Sequence, residues 1–455
     1  MKKNDLTEFF NKNTLLIIIF LAFVIRMVCF VSLQPWKTDV VKNTIVIADA
    51  SEYHQLAVSL LTKKSFEDYN AFRTPGYPVL VAMLYSISSS KVWFVLLFQI
   101  FLSLISVLFV YKIALIIFSR KVGLFSAFLF AIDIYQAWYT ITLLTDTFFV
   151  FLFLASIYYL CKSIKENNLL SIGLSALFLG MATLVRPISF LFPFIVIVFI
   201  LFICNLKLNT KLVYSLVFGL IFMASISPWL FNNYSKYGEM QLSSISGSNL
   251  LFWNVAYTEV YKTGKPLEQV RSDLYDFAVK QGIDTTKKES FNNSRIYSHI
   301  AQKYIKENFI LYCSRHFMGI VNMYTSLGTK EIASIFNVKS NRLSVDPSVG
   351  PNIFRQIIDF YQSKTIGEIV ISLTLVPYLL INYLFALFGV FPLIRKKEKY
   401  VYLLVFIVLY FSILTGVVGL SRYRIPVMPF INILCVVGLL TFYSKIKVKF
   451  GKANN

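Results

Sequence analysis

Long apolar runs alternate along the chain with short, lysine-bearing polar segments. The first run, TLLIIIFLAFVIRMVCFVSL at 14–33, is long enough to cross a bilayer core at ~1.5 Å per residue. Its apolar stretch is longer than that of a signal peptide, and no small-residue cleavage site follows, so an uncleaved first span is expected. Further runs lie at 92–118, 122–141, 145–161, 168–185, 188–204, 212–231, 367–394, 400–420 and 426–443. The pattern predicts an all-α polytopic membrane protein with about ten spans, between nine and twelve. The apolar piece at 77–90 is shorter and predicts a re-entrant or interfacial helix.

Basic residues set the expected orientation. With the N-terminus inside, the inner segments 1–13, 119–121, 162–167, 205–211, 395–399 and 444–455 hold 17 basic and 4 acidic residues. Both termini are then cytoplasmic, and two long segments, 34–91 and 232–366, are outside. Three parts follow: 1–231, an N-terminal membrane module carrying the first outer loop with its juxtamembrane helices; 232–366, a mostly helical outer insertion; and 367–455, the C-terminal membrane helices. Within the insertion, Ile296, Ile300, Tyr304 and Phe309 recur at roughly helical spacing between charges. The apolar stretch 309–328 has Arg315 and His316 in its middle, which argues against a further span.

Composition narrows the class. Of 455 residues 57% are hydrophobic and 15% charged, against roughly 25% charged in soluble domains. Mean hydropathy is +0.65. A soluble enzyme, a DNA-binding protein, a disordered regulator and a secreted disulfide scaffold do not fit. The net charge of +21 suits cytoplasmic loops, anionic membrane lipids and a phosphate-bearing substrate better than nucleic acid. Five cysteines without CxxC spacing and three scattered histidines predict neither a disulfide framework nor a zinc site.

Charges near membrane depth are functional candidates. The expected topology puts Asp49, Glu52 and His54 (ADASEYH, 48–54), Arg73 (FRTPGYP, 72–78), Asp146, Arg186, Arg422 and Arg424 on the outer side. Structural readings stand beside this one. Asp49 with Glu52 fits a capping box, and Asp146 an N-cap. Arg186, Arg422 and Arg424 each fit a snorkelling role, and PGYP fits a turn and helix start. Arg26 and Asp133 fit a structural ion pair or interfacial positions. Asp49 and His54, five residues apart, do not share a helical face, so no metal pair is expected from them.

The ordered set Asp49-Ala-Ser-Glu-Tyr-His, Arg73-Thr-Pro-Gly-Tyr-Pro78, Thr145-Asp146-Thr147, Leu184-Val-Arg186-Pro187, Pro228-Trp229 with Asn233-Tyr234, and Arg422-Tyr423-Arg424-Ile-Pro426 resembles a known group. These are the bacterial relatives of the protein O-mannosyltransferases and lipid A aminoarabinose transferases, the family 39-like branch of the GT-C glycosyltransferases. The resemblance runs to about residue 430 and is weakest across 260–365. It implies a GT-C fold and inverting sugar transfer from a polyprenyl-phosphate donor on the outer face of the cell membrane. It implies Asp49 as general base, Asp146 as the acid of the fourth span, and Arg73 beside the donor phosphate. Arg186, Arg422, Arg424, Tyr77, Glu52 and His54 complete the expected substrate-binding set. Ala50 departs from the Asp-Glu pair of many mannosyltransferases, and no MIR-type domain is present. A glycolipid or cell-wall polymer acceptor is therefore as well supported as a protein. Arginines supply permanent bidentate donors to a phosphate, so no metal or other cofactor is expected. The rival readings are a transporter or flippase of lipid-linked sugars and a GT-C polymerase or ligase of surface glycans. A transporter with related halves would show internal similarity and charges near the midplane; the chain shows neither.

Overall fold

The computed structural model describes residues 3–63, 66, 71–287, 289–329 and 365–451, and among these every regular element is helical. Residues 330–364 of the expected insertion, and parts of both expected cytoplasmic termini, lie outside the described residues. The chain opens with α1 (Lys3–Leu33), followed after a short helical stretch at 38–45 by α2 (Asp49–Lys63) and α3 (Gly76–Ser88). Next come α4 (Val92–Ile117), α5 (Arg120–Ile132), α6 (Ile134–Thr140), α7 (Asp146–Glu166) and α8 (Leu169–Val185). A single 3₁₀ turn at 187–189 leads into α9 (Phe192–Val198), whose last turn widens through 199–203, and then into α10 (Leu208–Tyr237).

All ten expected runs carry helix. Among the described residues six helices are long and apolar enough to cross a membrane: Asn13–Leu33 within α1, α4, α7, α10, and two near the C-terminus, Ile366–Arg395 and Met428–Ile446. The pair α5–α6, bent by 58°, makes a seventh if counted as one span. Leu169–Val185, Pro187–Ile203 and Lys399–Ile413 are shorter apolar helices in the remaining runs, and α3 is the short helix expected near 77–90.

Local chemistry explains the breaks. Ser119 caps α5 and Asn168 caps α8, each accepting from a backbone N–H three residues on. Such caps are worth about 1 kcal/mol each. Asp133 sits at the bend and accepts from the Tyr135 and Gln136 amides, so it ends α5 and starts α6. Arg26, fully buried, donates to Ser103 and to the Ala22 and Ala131 carbonyls. Both residues thus serve helix junctions.

The segment after α10 folds as α11 (Ile245–Asn249), α12 (Ala256–Thr263), α13 (Leu267–Lys280), α14 (Phe291–Glu307) and α15 (Phe309–Thr325). It owns a small apolar cluster including Leu251, Val255, Tyr297 and Ile300, apart from that of the bundle. The expected amphipathic helix is α14, with Tyr297 and Ile300 turned inward. Helices α16 (Ile366–Arg395), α17 (Lys399–Ile413) and α18 (Met428–Gly451) complete the chain; a capping box of Thr365 and Glu368 starts α16. Phe153 of α7 packs edge-on against Phe192, Phe411 and Phe430 at 5.0, 5.2 and 6.0 Å. These contacts bind α7, α9, α17 and α18 into one core, and each such pair is worth about 0.5–1.5 kcal/mol beyond its area.

Candidate active site

Three sequence-distant segments meet because their backbones can touch. Gly76, at the start of α3, lies so close to α8 that an added Cβ would stand 2.7 Å from the carbonyl carbon of Leu184. Only glycine permits that approach. Thr74 donates to the Val185 carbonyl at 3.2 Å. The Arg73 loop is thereby held beside Arg186, which terminates α8. On the other side the Ser244 amide donates to the Ala71 carbonyl at 3.0 Å. Trp229 and Asn233 of α10 donate to the Leu242 and Gln241 carbonyls at 2.7 and 2.6 Å. The Pro-Trp and Asn-Tyr motif thus braces the connection that supports the Arg73 loop.

The result is a chain of carboxylates and guanidiniums. Arg73 donates from Nε to Glu52 at 2.8 Å and from Nη2 to Asp49 at 2.9 Å. Arg422 donates from Nη1 to the other Asp49 oxygen at 3.2 Å, and from Nε and Nη2 to Asp146 at 2.9 and 2.8 Å. Arg186 donates to the remaining Asp146 oxygen at 2.5 Å. Arg422 therefore bridges the two aspartates, one from the loop after the first helix and one from the start of α7.

The two carboxylates differ in exposure. The Asp49 side chain is 40% accessible, whereas that of Asp146 is 0%. Asp49 is the first residue of α2 and spends both oxygens on arginines rather than on capping amides. Asp146, first in α7, likewise gives its oxygens to arginines, and Thr145 precedes it without a side-chain cap. Burial pushes the Asp49 carboxyl up, but the charges and hydrogen bonds of Arg73 and Arg422 outweigh it, and the net position is below the ordinary carboxylate value. The guanidiniums of Arg73 and Arg422 are held above theirs by surrounding anionic groups despite burial.

Other expected site residues lie elsewhere. Arg424, two positions after Arg422, turns away: it is 1% exposed, stacks 4.3 Å over Tyr135 and donates to carbonyls at the end of α15. Tyr77 is fully buried and donates to Gln99 at 2.8 Å. Gln99 in turn holds the Thr140 and Thr142 carbonyls at 3.0 and 2.8 Å, in the turn that leads to Asp146. His54 pairs through Nδ1 with the Tyr85 hydroxyl at 2.8 Å, and burial lowers its pKa. The sequence reading missed two tyrosines. Tyr53 lies under Arg73, 5.3 Å from ring to guanidinium, and Tyr423 follows Arg422 in the same turn, its hydroxyl pKa raised by burial against the opposing charges of Arg186 and Arg422. The positions of both within quoted motifs were the available signal.

Comparison with known proteins bears on the fold and on part of the chain's sequence. Residues 73–231 match the family model of the dolichyl-phosphate-mannose-protein mannosyltransferases. That stretch includes Arg73, Asp146, Arg186 and Trp229; Asp49 and Arg422 lie beyond it. The fold resembles the oligosaccharyltransferase AglB of the archaeon Archaeoglobus fulgidus, solved in complex with an inhibitory peptide and a dolichol-phosphate (TM-score 0.56, 13% identity, 98% of this chain and 52% of that one). The same organism's oligosaccharyltransferase in the apo form gives 0.54 at 12% identity, over 98% of this chain and 52% of that one. Its complex with Zn and sulfate gives 0.53 at 12% identity, over 96% and 50%. The chain thus spans about half the length of these structures. No protein of curated function matches it in sequence. The family-model match agrees with the resemblance read from the motifs, and the fold is all-helical among the described residues and similar to these oligosaccharyltransferase structures.

Proposed function

We propose that the chain is a membrane glycosyltransferase that moves a sugar from a polyprenyl-phosphate donor to an acceptor hydroxyl. The observation that carries this reading is the Arg422 bridge between a half-exposed Asp49 and a buried Asp146, with Arg73 alongside. Arg73 engages Glu52 and Asp49 through Nε and Nη2, so its Nη1 has no carboxylate partner among the described residues. That N–H is a charge-assisted donor for a lipid phosphate.

In the proposed reaction Asp49, ionised at neutral pH, accepts the proton of the acceptor hydroxyl. The acceptor oxygen bonds to the anomeric carbon as the bond from that carbon to the phosphate oxygen breaks. The electron pair leaves on the polyprenyl phosphate, whose charge Arg73 stabilises, and the anomeric configuration inverts. Asp146 holds Arg186 and Arg422 in place. Apolar grooves between the spans hold the prenyl tail. The site faces the outer side of the cell membrane, with both termini cytoplasmic; the basic bias of the opposite segments supports this. The acceptor is a glycolipid, cell-wall polymer or protein.

A divalent ion does not fit the carboxylates as arranged. Both oxygens of Asp146 and of Asp49 accept from guanidiniums, and no group of three or more metal-ligating side chains occurs among the described residues. No step is routed through a metal.

The test is transfer from a panel of radiolabelled polyprenyl-phosphate sugars in membranes holding the wild-type chain or Asp49→Asn. Label should reach an acceptor in the first and not in the second. Movement of donor across the bilayer without transfer would replace this reading with a flippase. Cysteine labelling at positions 265 and 397 checks the orientation, which fails if both react from one side.

A further inference from the structure

The turn carrying Arg422 is fastened to α15 of the 232–329 segment by contacts that involve no catalytic group. Gly319 of α15 meets the 416–419 backbone directly: an added Cβ would overlap the Gly416 carbonyl oxygen and stand 2.8 Å from that of Val417. Gly419, at φ +59°, faces the Gly319 carbonyl just as closely. Asn254, from the same segment, accepts from the Val417 amide at 2.8 Å. The His316 ring lies 2.8 Å from the Ile413 carbonyl, and the hydroxyls of Tyr324 and Ser412 are 2.6 Å apart. Arg424 closes the set, with Nη1 donating to the Met323 and Ser326 carbonyls at 3.3 and 2.5 Å. These carbonyls lie at the C-terminal end of α15, where orphan acceptors and the helix dipole favour a cation.

Residues 421–424 form one 3₁₀ turn. One arginine of that turn points into the aspartate cluster and the other, two residues on, into the end of α15. A turn this short cannot shift at Arg424 without shifting at Arg422. We propose that Arg424 is a positioning residue, clasping α15 to the 421–424 turn so that the insertion sets where the Arg422 guanidinium stands between Asp49 and Asp146. This rests on the glycosyltransfer reading for its consequence in catalysis, but not for the clasp itself.

Two readouts test it. The first is hydrogen exchange in Asn254→Ala and Arg424→Gln. The amides of Tyr423, Ile425 and Val427 bond back to Leu420, Arg422 and Arg424, and none is the direct partner of Asn254. Their exchange should rise about tenfold in both variants. Asn254 is only partly buried, so its variant keeps the test available if Arg424→Gln does not fold. Wild-type protection at these three amides in Asn254→Ala would overturn the clasp.

The second readout is the pH profile of transfer. Asp49 is faced by Arg73, Arg422, Glu52 and Tyr53, and a displaced Arg422 no longer helps hold its carboxyl down. In either variant the acid limb should move to higher pH while kcat falls roughly 10²-fold, the scale of a 1 Å misplacement. Arg424→Lys, which keeps a cation at the helix end, should recover part of both. Faster exchange with an unmoved acid limb would make the contact merely structural and overturn the positioning role. Failure of the glycosyltransfer reading appears instead as a wild type without transfer, and the exchange arm then decides the clasp alone.

Discussion

The two ends of the Arg422 bridge use the same residue types in opposite surroundings. At the Asp146 end a fully buried carboxylate is saturated by two guanidiniums; at the Asp49 end the carboxylate and its neighbour Glu52 are about two-fifths exposed. A buried ion pair gains little net stability over an apolar substitute, but breaking it leaves an uncompensated buried charge. An accessible carboxylate costs less to remove and can meet a substrate. In the proposed function this contrast divides labour by accessibility: the buried end holds geometry, and the open end meets the substrate.

The sharpest way to break that contrast is at the buried end. Asp146→Ala strands Arg186 and Arg422 and should cost about 3–5 kcal/mol in detergent unfolding, with transfer abolished. Stability near the wild type would mean that the arginines find other partners and that the buried end is not the scaffold. Asp49→Asn should do the reverse. Its unfolding midpoint should fall less than that of Asp146→Ala, since the carboxylate is partly exposed and no amide cap is lost, while turnover falls by roughly 10²–10⁴-fold. Turnover within a few-fold of the wild type would transfer the base role to Asp146.

Smaller effects sharpen the open end. Arg73→Lys keeps the charge but loses the fork, and donor affinity should weaken about tenfold, or ~1.4 kcal/mol. Equal affinity of Arg73→Ala and the wild type for the donor would remove Arg73 from the phosphate site. The pH profile follows from the lowered Asp49 pKa. A base with a depressed pKa stays ionised as pH falls past the ordinary carboxylate value, ~3.9, so the limb it contributes should lie below that pH. Its contribution to stability has the same sign: present above the unfolded pKa and lost as pH falls through the folded one. Arg73→Ala should move the limb upward. The smallest effect is expected for His54→Phe, because the His54 ring faces Tyr85 rather than the aspartates; transfer should stay within about two-fold of the wild type, an order below the Arg73 effect. A larger loss would extend the open end beyond Glu52.

Part of the site was legible in the chain before it folded. Asp146, Arg186 and Arg422 stand at or near the borders of apolar runs, where a charge is costly without a role, and Asp49 and Arg73 stand in the motifs of the outer loop between the first two runs. Alternation of the runs put all five on one side. Arg424 met the same criterion and misled, because two arginines separated by one residue look alike in sequence. Their directions depend on the turn, and α15 waited at its far side to take the second. Tyr77 misled for a similar reason: its motif is a packing device in which Gly76 supplies close approach and Tyr77 reaches Gln99.

Apolar runs determined, by themselves, that this chain forms a helical bundle and roughly where its apolar helices lie. In a bilayer each span must satisfy its own backbone, a local requirement that composition and length express directly. What only the tertiary structure decided is which charges meet. The bonds from Arg422 to Asp49 and Asp146 cross 373 and 276 residues. Those distances closed because glycines let helix backbones touch and because buried charges must find partners, and neither condition can be read from one segment alone.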